Sequence, residues 1–313
     1  MYLARRASRS EFLPLRGLRY HVRIWDDPEG PPEGEPGPLV MLHGWMDTGA
    51  SFQFVIDALK KERRVIAPDW RGFGLTEVSQ APPMAVDHFW FPDYLADLDG
   101  LLDHYAPQAP VDLVAHSMGG NIAMLYAGAR PMRVRRLVTL EGFGMPATQP
   151  HQAPARTARW LDEVQALRRG EKNLSSYSDL ARVARRLMRT NPRLTQDKAD
   201  WLAVRWARET VGADGRRAFS ILGHPAHKVV NAYLYRVDEL LAYYRAITAP
   251  VLAVEAAEGM VKTWRQRGVD DDFMARLHHV PLLRHRIVQN AGHMLHHDQP
   301  EQLAALIEDF LCH

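Results

Sequence analysis

An α/β fold is what this chain predicts: a mostly parallel central sheet, helices on both of its faces, and an inserted helical segment. Three observations carry it. Short apolar runs without alternation take turns with helical patterns along most of the chain. One interval of about a hundred residues holds helical patterns but no convincing strand. The 313 residues suit one α/β domain with a piece inserted into it.

The runs are LVMLH (39–43), RVIAP (64–68), VDLVAH (111–116), VRRLVTL (134–140), PVLAVEA (250–256) and RHRIVQ (284–289). Apolar on successive residues, they suit strands buried on both faces, as parallel sheets require. An earlier segment, GLRYHVRIW (17–25), alternates apolar and polar residues and reads as a strand with one solvated face. The DDPEGPPEGEPGP stretch after it is too rich in proline and glycine for regular structure and marks an exposed loop. Helical patterns such as SFQFVIDALKK, DYLADLDGLLDHY, GGNIAMLYAGA and PEQLAALIEDFL fall between or after the runs. Strand and helix in alternation imply parallel strands with helices packed on both sides. From 145 to 248 the patterns are helical throughout (ARWLDEVQALRR, YSDLARVARRLMR, DKADWLAVRWARE, NAYLYRVDELLAYYRAI), and the interval is too long for a loop. The expected division is a core of 1–144 and 249–313, with 145–248 as a helical cap.

Hydrophobic residues make up 46% and charged residues 24%, the proportions of a soluble globular protein, and the net charge is only +2. So small a charge argues against nucleic acid or an anionic membrane surface as partner. No apolar stretch has the length of a membrane span. The one cysteine, Cys312, forms no internal disulfide, which fits a reducing compartment and a cytoplasmic protein. The N-terminus carries basic residues with no apolar run behind them, unlike a cleaved signal.

Four segments carry chemistry. In VDLVAHSMGG (111–120) an apolar strand runs into a small-x-Ser-x-small turn, and a helix begins at once. A nucleophilic serine needs that sharp turn to lift its hydroxyl above the sheet, which makes Ser117 the candidate nucleophile. Ala115 and Gly119 are the small residues that let strand and helix approach. In Leu42-His43-Gly44-Trp45 the chain must turn sharply and present an N–H towards the nucleophile. The N–H groups of Trp45 and Met118 are then the candidate oxyanion hole. Asn290-Ala291-Gly292-His293 follows a strand and precedes a capped C-terminal helix, so His293 can reach across the sheet top as general base. Asp69-Trp70-Arg71-Gly72-Phe73-Gly74 reads as a structural turn. His296 and His297 read as solvated loop histidines, because no convincing acidic or cysteine partner set lies near them in the chain. No metal and no cofactor are expected. His43, Gly44, His116 and Trp90 are the candidate pocket residues. The aromatic cluster 88–91 and Trp160, Trp201 and Trp206 suit either an apolar pocket lining or, at helical spacing, plain core.

In their chain order (the HG-x turn, the D-x-R-G-x-G turn, the serine turn and the late G-H) the four segments resemble the α/β-hydrolase family, over about 38 to 311. That resemblance implies the α/β-hydrolase fold and a cap over the pocket at 145–248. Haloalkane dehalogenases and epoxide hydrolases, which are similar, place aspartate at the turn; serine at 117 implies acyl transfer instead. The family's acid usually follows the strand equivalent to PVLAV, yet Gly259 holds that slot here, with Glu258 one position early. A second family pattern sets the acid one strand sooner, where Glu141 stands. Both glutamates remain candidates, with Glu141 preferred. The function so implied is cleavage of a carboxylic ester, thioester or lactone of an apolar small molecule through an acyl-enzyme. The alternatives are a C–C bond hydrolase or cofactor-free perhydrolase with the same triad, or a non-catalytic receptor on the same fold.

Overall fold

The computed structural model describes residues 2–26, 37–78, 86–211, 215–269 and 272–312. Most of the Pro- and Gly-rich loop expected over 26–38 lies outside them. The chain opens with β1 (Arg9–Leu15), β2 (Leu18–Trp25) and β3 (Leu39–Leu42). A 3-10 turn (Gly49–Phe52) leads into α1 (Gln53–Ala58), followed by β4 (Val65–Pro68), α2 (Phe91–Tyr105), β5 (Val111–His116), α3 (Met118–Ala129) and β6 (Val134–Leu140). The long interval supplies α4 (Ala153–Arg168), β7 (Ser176–Tyr177), α5 (Leu180–Thr190), α6 (Gln196–Trp206), β8 (Ala207–Val211), β9 (Arg217–Ile221) and α7 (Val237–Ala246). The chain then returns with β10 (Val251–Glu258), α8 (Met260–Gln266), α9 (Phe273–Leu277), β11 (Leu283–Gly292), α10 (Leu295–Asp298) and α11 (Pro300–Cys312).

Eight strands form the central sheet in the order β1-β2-β4-β3-β5-β6-β10-β11. β1 and β2 enter antiparallel, and every pairing from β4 to β11 is parallel. The unbroken apolar runs are explained by two cores. Val40, Leu42, Leu113, Ala115, Leu137 and Ala253 face α2 and α3. Their neighbours Leu39, Met41, Val114, Val138, Leu252 and Val254 face α1 and α11. Each fully buried side chain of this kind contributes roughly 1.5–3 kcal/mol before chain entropy is charged against it.

The strands expected from the apolar runs all form, and the sequence reading missed others. β1 is an edge strand, and Leu13 is its one fully buried residue, so RSEFLPL carries no apolar run to announce it. The inserted interval is not purely helical: β7, β9 and β8 make a small antiparallel sheet. Its residues are mostly polar or half-exposed, and β8 takes over the end of the DKADWLAVRWARE pattern directly after α6. The last helix of the interval starts at Val237, not at the NAYLY stretch. It packs on α3, and Leu240 and Tyr244 join the core cluster of that helix. α5 and α6 instead build their own cluster, with Val183, Leu187, Trp201 and Leu202 around Phe54. Trp201 is therefore core.

The insertion is clamped to the turn after β4. His224 N–H donates to the Gly72 carbonyl (2.8 Å), and the His227 ring stacks at 3.6 Å on Phe73 and 4.1 Å on Phe89. Burial, with His224 nearby, lowers the His227 pKa to about 3, against an ordinary 6.5. Between those values the unfolded chain takes up a proton that the folded chain refuses. Stability from this source is therefore complete above about pH 6.5 and lost as pH falls towards 3. His227→Phe, which keeps a ring in the stack with nothing to protonate, should lose less stability than the parent between pH 7 and 4.5. Urea midpoints at the two pH values measure this; equal losses would remove His227 from the acid response.

Candidate active site

β5 ends at His116, and the chain turns at once into α3. Ser117, at the turn, has φ 51° and ψ −114°, a left-handed conformation that costs a non-glycine residue of order 1–3 kcal/mol. Gly119 makes the turn possible: a Cβ there would lie 2.3 Å from the Leu42 carbonyl oxygen. Ser117 N–H donates to the Leu140 carbonyl (2.8 Å), so the nucleophile's backbone is tied to the end of β6. The next residue on that strand is Glu141.

Glu141 is also left-handed (φ 54°), and its N–H donates to the Val254 carbonyl of β10 at 3.0 Å. Its buried carboxylate accepts from Ala256 N–H (2.8 Å) and Met260 N–H (2.6 Å). Oε2 also lies 3.2 Å from His293 Nδ1, while His293 Nε2 lies 3.0 Å from Ser117 Oγ. Nδ1 facing a carboxylate carries the hydrogen, which leaves Nε2 to accept from the serine hydroxyl. The structure thus brings Ser117, His293 and Glu141 into one chain of hydrogen bonds. It leaves Glu258 outside: that side chain is 49% exposed and paired with Arg193 at 2.8 Å. Gly259, in the slot where the family pattern puts the acid, is filled from across the sheet. A Cβ there would meet Glu141 Oε2 at 2.3 Å.

The turn after β3 supplies the other half of the site. His43 is fully buried; its Nε2 accepts Trp70 N–H (2.9 Å) and its Nδ1–H donates to the Gly44 carbonyl (2.7 Å). Burial holds its pKa below the ordinary histidine value, in keeping with this neutral tautomer. In a trans peptide the carbonyl and the following N–H point opposite ways. Pinning the Gly44 carbonyl onto His43 therefore turns Trp45 N–H away from His43. Met118 N–H opens α3, where a helix has no acceptor of its own for it. Trp45 is 55% exposed.

Two histidines expected in the pocket are elsewhere. His43 lies behind the turn as described, because its ring is spent on backbone groups. His116 is buried under the nucleophile, with Nε2 2.8 Å from the His293 carbonyl oxygen. Gly44 stands against it, where a Cβ would come within 3.1 Å of Ser117 Cβ. Trp90 packs with His88, Trp160 and Tyr233 at the start of α2. The expected structural turn at 69–74 is present, closed by Asp69, whose oxygens accept from Gly49 N–H (2.7 Å) and Leu75 N–H (2.9 Å).

His296 and His297 are not solvated. Both are buried, and Ser51 Oγ lies 2.8 Å from His296 Nε2 and 2.6 Å from His297 Nε2. The acidic group beside them is not their neighbour Asp298 but Asp47, whose Oδ2 lies 3.6 Å from His296 Nε2. It comes from the turn after β3, some 250 residues away in the chain, and sequence adjacency could not reveal it. Among the described residues no helix is long and apolar enough to cross a membrane.

Replacing Gly259 with alanine tests the packing of the acid without touching a polar group. The new methyl must displace the Glu141 carboxylate, so turnover should fall by about tenfold or more while the protein stays folded. Steady-state rates and circular dichroism of Gly259→Ala decide it. An unchanged rate would mean that the carboxylate position is not critical.

Residues 37–300 match the family model described as alpha/beta hydrolase fold. A serine hydrolase-like protein of Danio rerio is 26% identical over 311 residues, 98% of this chain and 89% of its own length. The 2-hydroxy-6-oxo-2,4-heptadienoate hydrolase of Pseudomonas putida is 36% identical over 115 residues, 36% of this chain and 40% of its own. Among solved structures, the thioesterase domain from the curacin biosynthetic pathway aligns with a TM-score of 0.75 at 22% identity, covering 96% of this chain and 99% of that one. With the match spanning most of its length and the fold agreeing, the chain belongs to the α/β-hydrolase family and is a hydrolase.

Proposed function

We propose that the protein is a serine hydrolase that cleaves a carboxylic ester, thioester or lactone of an apolar small molecule through an acyl-enzyme on Ser117. The observation that carries this reading is the chain Ser117 Oγ–His293 Nε2 (3.0 Å) and His293 Nδ1–Glu141 Oε2 (3.2 Å). His293 takes the hydroxyl proton as Ser117 attacks the carbonyl carbon. The N–H groups of Trp45 and Met118 receive the oxyanion, and Glu141 holds the imidazole tautomer and steadies the imidazolium. The tetrahedral intermediate expels the alcohol or thiol, which leaves with the proton from His293. Water, deprotonated by the same nitrogen, then releases the acid. The thioesterase domain and the serine hydrolase-like relative are in keeping with this chemistry.

C–C bond hydrolysis is the second reading, and the heptadienoate hydrolase similarity favours it over the remaining alternatives. The same serine and base would serve, with a carbanion as leaving group. Turnover of nitrophenyl esters and thioesters against vinylogous diketones separates the two. We assign 145–248 to a cap, with α7 packed on the core, and a cytoplasmic setting fits the single thiol of Cys312. The exposed Trp45 indole and the Trp90–Trp160–Tyr233 cluster support an apolar substrate.

Ser117→Ala should abolish labelling by a fluorophosphonate and nearly all ester turnover; an alanine variant close to the parent rate would overturn the reading. The acid is tested by two isosteric changes. Glu141→Gln should lower kcat by roughly 10³–10⁴, as losing a triad acid does. Glu258→Gln should cost less than about tenfold, since its partner is an arginine outside the triad. The opposite ranking would move the acid to Glu258.

A further inference from the structure

Next to the nucleophile, three buried side chains (Asp47, His116 and His296) converge with electron pairs unused. His116 (1% exposed) has its Nε2 at 2.8 Å from the His293 carbonyl oxygen. A carbonyl only accepts, so that nitrogen carries the hydrogen and Nδ1 is bare. His296 (0% exposed) has its Nε2 2.8 Å from Ser51 Oγ, and His297 Nε2 lies 2.6 Å from the same oxygen. With the His296 Nε2–H donated to that oxygen, the single hydroxyl hydrogen of Ser51 serves His297 Nε2. His296 Nδ1 is bare too. Asp47 (3% exposed) accepts on Oδ1 from Thr48 N–H (2.9 Å) and Trp206 Nε1–H (3.2 Å). Asp47 Oδ2, His116 Nδ1 and His296 Nδ1 have no hydrogen-bond partner among the described residues.

Three buried acceptors without a donor are costly. A cation resolves all three at once. Two imidazole nitrogens and one carboxylate oxygen form a donor set suited to divalent zinc and its neighbours. One ligand atom from each of Asp47, His116 and His296 lies within 4.8 Å of the others. An ion there would have to draw the three atoms in to the metal–ligand distances of about 2.0–2.2 Å that zinc requires. A ligating imidazole normally donates its other N–H to a carbonyl or carboxylate, which fixes its tautomer; His116 does so to His293. Gly44 keeps the approach to the His116 nitrogen free, since a Cβ there would stand 2.9 Å from Nδ1.

We propose that Asp47, His116 and His296 form a binding site for a divalent transition-metal ion of the zinc class, next to the nucleophile. The ion fixes His116, and through its N–H the carbonyl of the loop that carries His293. The site lies outside the proposed acyl-transfer chemistry, and no step of that reaction passes through it. Its existence does not depend on which ester or ketone the enzyme takes.

The test uses the full chain, stripped with chelator, dialysed and incubated with Co²⁺, whose visible absorption reports a low-coordinate nitrogen and oxygen site. Bands growing to one equivalent and displaced by Zn²⁺ are expected. Asp47→Asn and His296→Gln should each weaken Co²⁺ binding by more than about 100-fold, beyond what an outer partner contributes. The surface pair His278 and His279 is the control, and His278→Gln/His279→Gln should bind as the parent does. X-ray absorption of the parent's zinc complex needs no variant and should show two imidazoles and a carboxylate. It decides the matter should either buried variant fail to fold by circular dichroism. Absence of bands in the parent, bands unchanged in Asp47→Asn, or bands lost only with His278 and His279 (an adventitious ion only) would each overturn the proposal.

Discussion

Ser117 is held in a left-handed conformation, and the neighbouring strands leave it no other. Its N–H is bound to Leu140, Gly119 lies under the Leu42 carbonyl, and α3 starts before the chain can relax. The strain raises the hydroxyl above the strand ends. It also dictates what stands nearby, because β5 is flanked by β3 on one side and β6 on the other. The turn leaving β3 brings Gly44 beside the serine; the residue leaving β6 is Glu141. The site is thus a consequence of strand order, and its parts are set by the sheet before any side chain chooses a rotamer.

Most of the fold was legible because a parallel sheet buries both faces of its strands and so writes them as continuous apolar runs. β5, with all six residues buried, is the clearest example. β1 and the small sheet of the insertion were not legible for the converse reason. Their residues meet solvent on at least one side, and the pairing partners alone make them strands. Ser117 and His293 could be read from local order, since each sits at a junction between a strand and a helix. For the proposed acid two glutamates stood as candidates. What favours Glu141 is its mutual fit with Gly259, residues 118 positions apart whose contact no local pattern records.

The histidines show the limit from another side. His43, His116, His296 and His297 all stand in or beside segments with chemical character, and such residues invite a pocket or a solvated reading. The structure buries all four. Their roles depend on which ring nitrogen carries hydrogen, and that follows from the partner across the contact: a carbonyl for His116, a backbone N–H for His43. Such partners come from elsewhere in the chain, so composition and spacing leave them invisible.

The placement of the acid has a consequence for biosynthesis. Nucleophile and acid lie on adjacent strands, close together in the chain, whereas His293 is 176 residues beyond the serine and 152 beyond the glutamate. On the ribosome, at about 5–20 residues per second, Ser117 and Glu141 emerge within seconds of each other, and the imidazole follows well after. The strand that delivers it, β11, is the last added to the sheet and pairs only with β10. Under the proposed mechanism, Ser117 of a nascent chain therefore lacks its base until the insertion has been made and the final strand has docked.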